Sequence, residues 1–220
     1  MKKIINVIII FLPWKIRRFI LNHFYHYQIH PTAHIGFSYI YPVRLIMAEG
    51  AKIGHLNVAI HLEMIQMDKN CSISQKNWIT GFPLKDKSNF KDFPNRKPYL
   101  IMKEDSGITK QHHIDCTDTV LVGEFTTIAG YGTQILTHST SLKNNRQACA
   151  PITIGHHCCV GTRSIILPGS ELPSQSALGA GAVLNKKYTE KLALYGGVPA
   201  KFIKKMDKTY EFFHRTYRPK

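Results

Sequence analysis

Histidine and aspartate side chains in two short segments are the groups best suited to chemistry in this sequence. The first segment, residues 136–139, contains His138. The second, residues 111–116, contains His112, His113 and Asp115. Because histidine exchanges protons near neutral pH, His138 is a candidate general base. The other three side chains are candidates to orient that base or to bind a substrate. A surface turn with incidental histidines remains an equal alternative for them.

An aliphatic residue recurs at every sixth position over residues 154–184, and this period predicts the element that must hold those side chains. The positions are Ile154, Val160, Ile166, Leu172, Leu178 and Leu184. Each hexad supplies one short strand and one turn, and the small residue after several of the aliphatic residues lets the chain turn. Three hexads form one coil that stacks on the next. We therefore predict an all-β solenoid, a parallel β-helix of hexapeptide repeats.

The same period runs with interruptions through residues 35–128, so we assign residues 30–194 to the solenoid. Two segments, 82–99 and 139–151, do not fit it and are predicted to be loops. Long loops within a compact domain are commonly functional. Since the second loop directly follows His138, both belong to the site hypothesis.

Residues 1–29 form a separate N-terminal segment. Residues 4–12 form an apolar run, interrupted by Asn6, that is too short to span a bilayer. The apolar positions that follow alternate with the basic residues Lys15, Arg17 and Arg18. This pattern is typical of a helix that lies in a membrane interface, so we predict peripheral membrane attachment through residues 1–28. The alternative is a helix that packs against the body of the protein or a neighbouring subunit.

The chain is strongly basic, with 29 Lys and Arg against 14 Asp and Glu and a net charge of +15. Such a charge attracts anionic partners, and the basic residues concentrate near the two ends, including the C-terminal extension 195–220. We predict that this extension contains a helix. A nucleic-acid partner is not expected, because no recognised nucleic-acid motif is present.

The cysteines indicate a reducing compartment. Five are present, an odd number, and none is arranged as Cys-x-x-Cys. We interpret them as reduced thiols, which predicts a cytoplasmic location, with the N-terminal segment on the cytoplasmic face of a membrane. The adjacent Cys158 and Cys159 should point to opposite sides of a strand.

Three motifs follow one another along the solenoid: Leu136-Thr-His-Ser, Val160-Gly-Thr-Arg-Ser and Tyr195-Gly-Gly-Val-Pro-Ala-Lys. Their order and spacing resemble those of the hexapeptide-repeat acyltransferases, a group that includes maltose, galactoside and polysaccharide O-acetyltransferases. The resemblance covers about residues 30–206. It implies a left-handed parallel β-helix with helical appendages at both ends.

The resemblance also implies an activity, acyl transfer from acyl-CoA to a hydroxyl with His138 as general base. The expected donor is acetyl-CoA, and the expected acceptor is a sugar of a surface polysaccharide or its precursor. A homotrimer is implied, with coenzyme A in the groove between subunits. The residues expected to admit the pantetheine arm are Gly161, Thr162, Gly179 and Ala180. Those expected to neutralise its phosphates are Lys186, Lys187 and Lys201.

Two other function classes compete with this one. A γ-type carbonic anhydrase uses the same solenoid and holds a metal with histidines of neighbouring coils, for which His112, His113 and His138 are the candidates. A non-enzymatic basic scaffold or nucleic-acid-binding protein is the third class. The segment after the last hexad and the loop after His138 favour the acyltransferase, and spacing alone does not establish three convergent ligands. No metal is therefore expected.

Overall fold

A computed structural model describes residues 2–85 and 89–216 of the chain. The parts of the predicted segments outside the described residues are Met1, the side chains of Lys2 and Lys3, residues 86–88, and residues 217–220 with Arg218 and Lys220. Two N-terminal helices precede a long series of short strands.

All but two of the described strands form three sheets, which we call faces 1, 2 and 3; their strands are parallel except for the last strand of face 2. Face 1 consists of β1 (Gln28–Ile29), β4 (Arg44–Met47), β7 (Met64–Met67), β10 (Tyr99–Met102), β13 (Val120–Val122), β18 (Ile152–Ile154) and β21 (Glu171–Leu172). Face 2 consists of β2 (His34–Ile35), β5 (Lys52–Ile53), β8 (Ser72–Gln75), β11 (Gly107–Lys110), β14 (Thr127–Ile128), β19 (Cys159–Val160), β22 (Ala177–Leu178), β24 (Ala193–Gly196) and β25 (Lys201–Lys205). Face 3 consists of β3 (Tyr39–Tyr41), β6 (Val58–Ile60), β9 (Trp78–Thr80), β12 (His113–Asp115), β15 (Gln134–Leu136), β20 (Ile165–Ile166) and β23 (Val183–Leu184).

The chain visits the faces in the order 1, 2, 3, and each circuit is one coil of a left-handed parallel β-helix. The six aliphatic residues of 154–184 are each exposed by 2% or less and fill the triangular core, as their period predicted. Neighbouring side chains alternate between inside and outside. Cys158 is accordingly buried and Cys159 half-buried, and all five cysteines are free thiols.

The glycines after the aliphatic residues serve a purpose other than the expected one. Gly54, Gly123 and Gly161 do not adopt the left-handed conformation. A Cβ on Gly54 would lie 2.1 Å from the carbonyl oxygen of Ser74, and one on Gly161 would lie 2.6 Å from the nitrogen of Ala180. Glycine is needed at these corners because the next coil lies too close for a side chain.

The two interruptions of the repeat leave from the same edge of the prism, where face 3 turns into face 1. The first joins β9 to β10 and corresponds to the predicted loop 82–99. The second, predicted to be the loop 139–151, is instead an antiparallel hairpin of β16 (His138–Ser141) and β17 (Arg146–Cys149). The pairing was not predicted because the hairpin carries no hexad period and Cys149 is its only buried strand residue.

The N-terminal segment contains α1 (Lys2–Ile10) and α2 (Trp14–Phe24). Helix α2 packs against the first coil, as the alternative prediction stated, and buries Leu21, while Ile16 and Phe19 stay exposed. Arg17 is only 3% exposed and donates to the carbonyl oxygens of Gly36 and Ser38, both at 2.7 Å. The sequence had placed Arg17 among the residues of a membrane-facing helix. The structure instead places its guanidinium inside the protein. Neither helix in the described part of the chain is long and apolar enough to cross a membrane.

The C-terminal extension is mostly not helical. The expected boundary at residue 195 falls inside β24, which pairs antiparallel with β25. The expected helix amounts to one short 3₁₀ turn, Glu211–Phe213, within the described residues. Beyond it, Arg215 donates to the carbonyl oxygen of Phe125 and to the hydroxyl of Thr127, so the extension folds back over face 2.

Candidate active site

His138 and Asp115 form a hydrogen-bonded pair at the edge between faces 3 and 1. Asp115 ends β12, and His138 begins the hairpin that follows β15 in the next coil. The Oδ2 atom of Asp115 lies 2.8 Å from Nδ1 of His138. Because the carboxylate accepts the Nδ1 proton, Nε2 is the nitrogen left for a substrate. This arrangement suits a general base that is oriented by a carboxylate.

Asp115 is held by more than its histidine partner. Thr117 donates its hydroxyl to Oδ1 at 2.6 Å, and Thr137 donates both its backbone N–H and its hydroxyl to Oδ2. Burial raises the pKa of Asp115, but the hydrogen bonds from His138, Thr117 and Thr137 and the charge of His138 together lower it below its ordinary value. Asp115 is therefore a carboxylate at neutral pH.

The segment that joins β9 to β10, which we call the first insertion, covers one side of this pair. The rings of Phe82 and Phe90 meet the imidazole of His138 edge-on, with centroids 5.3 and 6.1 Å away. Arg96 is 6% exposed, donates to the carbonyl oxygens of Phe82, Pro83 and Thr117, and lies 4.7 Å from the ring centroid of Phe90. The guanidinium thus fixes the insertion in place and, through it, the rings beside the histidine.

The hairpin and the first insertion also contact each other. Arg146 in β17 donates from Nη1 to both carboxylate oxygens of Asp92, each at 3.1 Å. Both side chains are largely exposed, so this ion pair adds little stability by itself. It does show that the two predicted loops meet over the same edge of the prism.

A cavity of about 680 Å³ opens beside His138 on the outer surface of face 3. Its lining includes Trp78, His113, Asp115 and Phe82, with Lys85 at the first insertion. Trp78 and His113 are opposite each other in neighbouring coils, and Trp78 is 48% exposed. An aromatic wall beside a histidine and a carboxylate matches the usual make-up of a small-molecule site.

His112 does not contact this cavity, although it was expected to support the site. It is fully buried at the corner between faces 2 and 3, where it continues a polar column that begins with Ser38 and runs through Asn57 and Asn77. Its Nδ1 accepts the backbone N–H of Thr133, and its Nε2 lies 2.9 Å from the hydroxyl of Thr109. Burial lowers the pKa of His112 from 6.5 to about 4, so the ring is neutral.

This neutral histidine predicts a pH dependence of stability. The unfolded chain protonates His112 near pH 6.5 but the folded chain only near pH 4, so the unfolded state binds more protons between these values. Its contribution is complete above pH 6.5 and decreases as the pH falls to 4, by about 3 kcal/mol in total. His112→Asn, which copies Asn77, should fold and lose this part of the dependence. Urea unfolding of both proteins across the range measures it, and equal slopes would contradict the assignment.

Comparison with known proteins places this geometry in a wider context. Galactoside O-acetyltransferase of Escherichia coli K12 is 26% identical over 112 residues, which cover 50% of this chain and 54% of that relative. The match thus spans about half of the relative's length. No family model matches the chain.

Solved structures identify the fold of this chain. A hexapeptide-repeat-containing acetyltransferase from Vibrio cholerae aligns with a TM-score of 0.51 at 19% identity, covering 63% of this chain and 71% of the other. The polysialic-acid-specific acetyltransferase NeuO aligns with a TM-score of 0.52 at 14% identity, covering 84% and 85%. The chain has the fold of the hexapeptide-repeat acetyltransferases. The resemblance inferred from the three motifs is confirmed.

The residues predicted to hold coenzyme A lie on different parts of the hexapeptide-repeat fold. Gly161, Thr162, Gly179 and Ala180 are at the edge between faces 2 and 3, whereas Lys186 and Lys187 follow β23 at the edge between faces 3 and 1. Lys201 is exposed on β25. The two edges border face 3, on which the cavity opens. Glycine is required at position 161 because the next coil occupies the space that a side chain would need.

The three histidines considered as metal ligands are not brought together. His112 is inside the prism and bonded to Thr109 and Thr133, while His138 is engaged by Asp115. His113 lines the cavity from the outer surface of face 3. Across residues 2–85 and 89–216, no group of three or more His, Cys, Asp and Glu side chains is arranged to hold a metal ion.

Several residues of the site were missed in the sequence. Trp78, Phe82 and Phe90 were not singled out, nor were the threonines that hold Asp115. One usable signal was the strand register, because Trp78, His113 and Gln134 occupy equivalent outward positions of successive coils. The aromatic residues of the first insertion carry no such signal, since they lie outside the repeat.

Proposed function

We propose that this protein is an acyl-CoA-dependent O-acyltransferase that moves an acetyl group from acetyl-CoA to a sugar hydroxyl. The observation that carries the proposal is the Asp115–His138 pair beside the cavity on face 3. The sugar acceptor is supported by the 26% identical galactoside O-acetyltransferase and by the aromatic wall of the cavity, because aromatic rings pack well against the apolar faces of sugars. A surface polysaccharide or its precursor is the proposed source of that sugar.

The proposed mechanism passes both proton transfers through Nε2 of His138. Nε2 of His138 removes the hydroxyl proton as the sugar oxygen attacks the thioester carbonyl, and a tetrahedral intermediate forms. When the intermediate collapses, the C–S bond breaks and the imidazolium returns the proton to the thiolate of coenzyme A. Asp115 keeps the proton on Nδ1 and stabilises the imidazolium between the two transfers. The products are the O-acetyl sugar and the free thiol.

The proposal includes a homotrimer in the cytoplasm. A cyclic arrangement gives three equivalent grooves, and a groove between neighbours allows residues of the two edges that border face 3 to come from different subunits. On this view Gly161, Thr162, Gly179 and Ala180 contact the pantetheine arm, and Lys186, Lys187 and Lys201 contact the phosphates. The five free thiols agree with a reducing compartment.

A thiol-release assay tests the proposed reaction. The purified protein is mixed with acetyl-CoA and each of a panel of sugars, and free coenzyme A is measured with a chromogenic disulfide. We expect thiol release that requires both the protein and a sugar, together with a mass increase of one acetyl group on that sugar. The proposal is wrong if no sugar stimulates release from acetyl-CoA or from longer acyl-CoA donors.

A further inference from the structure

The outer surface of the N-terminal helices is apolar to an unusual degree. We call it the apolar N-terminal surface. It consists of Ile4, Ile5, Val7, Ile8, Phe11, Ile16, Phe19 and Phe24, which are exposed by 47% to 70%. Phe37 of the first coil extends it, since its ring centroid lies 6.3 Å from that of Phe11. Large exposed apolar side chains concentrated on one part of a protein mark a binding surface.

These side chains are held outward by a firm attachment on the opposite side of the helices. Trp14 donates its indole N–H to the carbonyl oxygen of Ala33 at 3.1 Å, beside the buried Arg17. Helix α1 is tied down through Asn6, whose side-chain oxygen accepts the hydroxyl of Tyr25 and whose carbonyl oxygen accepts the hydroxyl of Tyr41. The surface is therefore preformed, and binding a partner does not require the helices to detach.

The charges around the surface indicate the kind of partner. The first 48 residues contain six Lys and Arg and no Asp or Glu; the first acidic residue is Glu49. Because Arg17 is used inside the protein, Lys15 and Arg18 are the cations of α2 that remain accessible. A second copy docking through the same surface would bring these cations together without an acidic partner. An anionic surface has no such penalty.

We propose that the apolar N-terminal surface docks this protein on a membrane that contains anionic lipids. Helices α1 and α2 lie in the interface, insert the exposed Ile and Phe side chains among the acyl chains, and place Lys15 and Arg18 at the headgroups. Helix α1 has nine residues and is about 14 Å long, roughly half the thickness of the hydrocarbon layer. It therefore lies on the membrane rather than across it.

The docking surface is separate from the proposed acetyl-transfer site. The helices pack at the first coil, whereas Asp115 and His138 bridge the fourth and fifth coils, about 15 to 20 Å further along the prism. Changes to the docking surface should therefore leave chemistry on a small soluble acceptor intact. Deleting residues 1–28 is a poor test, because it also removes the buried Arg17 and Leu21.

Co-sedimentation with vesicles tests the proposal directly, using the full chain. The vesicles are phosphatidylcholine alone or with about one third phosphatidylglycerol. We expect the wild type to sediment with the anionic vesicles and Phe11→Ser/Phe19→Ser to bind them at least tenfold more weakly. The matched control is Val198→Ser/Ile203→Ser, whose residues are similarly exposed and which should bind like the wild type.

Lys15→Gln/Arg18→Gln provides an independent arm that leaves the apolar side chains in place. It should weaken binding to anionic vesicles and reduce the effect of salt on that binding. Absence of wild-type binding, or equal binding by both Phe and control variants, overturns the proposal. A different pair of results also overturns it. These are that the wild type does not bind vesicles, and that light scattering shows half the wild-type particle mass for Phe11→Ser/Phe19→Ser but not for the control. That result would assign the surface to a second copy of the chain.

Discussion

Replacing His138 by alanine should lower kcat for acetyl transfer by roughly two to four orders of magnitude, the range expected when a general base is lost. The side chain is 29% exposed and its Nδ1 is bound to Asp115, so removing it deletes the proton acceptor with little disturbance of the core. The binding of acetyl-CoA should change little. Initial rates of thiol release and calorimetric titration with coenzyme A measure the two effects.

His30→Ala is the matched control for this experiment. His30 is an exposed histidine of the first coil, and its Nδ1 contacts only its neighbour Thr32. Its replacement should leave kcat within about twofold of the wild type, as for most surface substitutions. A His138→Ala protein that unfolds like the wild type and retains most of its rate would show that another group takes the proton.

Asp115→Asn should have the second largest effect, a fall in kcat of about 10- to 100-fold. A hydrogen bond to a charged group contributes about 1.5 to 3 kcal/mol, and the variant loses the charge that stabilises the imidazolium. An amide can still pair with Thr117 and Thr137, so the fold should persist. If Asp115 acts through His138, adding Asp115→Asn to His138→Ala should lower kcat little further. KM for acetyl-CoA should not change.

The double variant separates this positioning role from a structural one. Asp105→Asn is the control, since Asp105 lies in the same coil at a different corner and has a positive φ that asparagine tolerates. It should leave kcat unchanged. If Asp115→Asn lowers kcat by the same factor in the wild type and in His138→Ala, the carboxylate only supports the local fold.

The solenoid could be predicted because its signal is local and repeated. An aliphatic residue every sixth position places each one inside the prism, and the register of the stack follows from the same period. The position of His138 where this period stops was visible for the same reason. The hairpin was not, because its strands pair with each other and not with a coil, and their residues carry no hydrophobic alternation.

The roles of neighbouring histidines were not separable in the sequence. His112 and His113 differ by one position, yet one is fully buried in a polar column and the other lines the cavity. The difference comes from where the chain turns the corner between faces 2 and 3. Arg17 shows the same limit, since a basic residue on an amphipathic helix looks available to lipid until the carbonyl groups of the first coil are placed beside it.

The amino-acid sequence alone determined the β-helix, its core and the candidate base, because these depend on residue types at a short fixed spacing. Only the tertiary structure decided which groups contact that candidate base. Asp115 and His138 are 23 positions apart, and they meet at 2.8 Å because the fourth and fifth coils stack in register on face 3. The rings of Phe82 and Phe90 reach the same imidazole through an insertion held by Arg96. Such contacts depend on the stacking of coils and the path of the insertions, which no local spacing encodes.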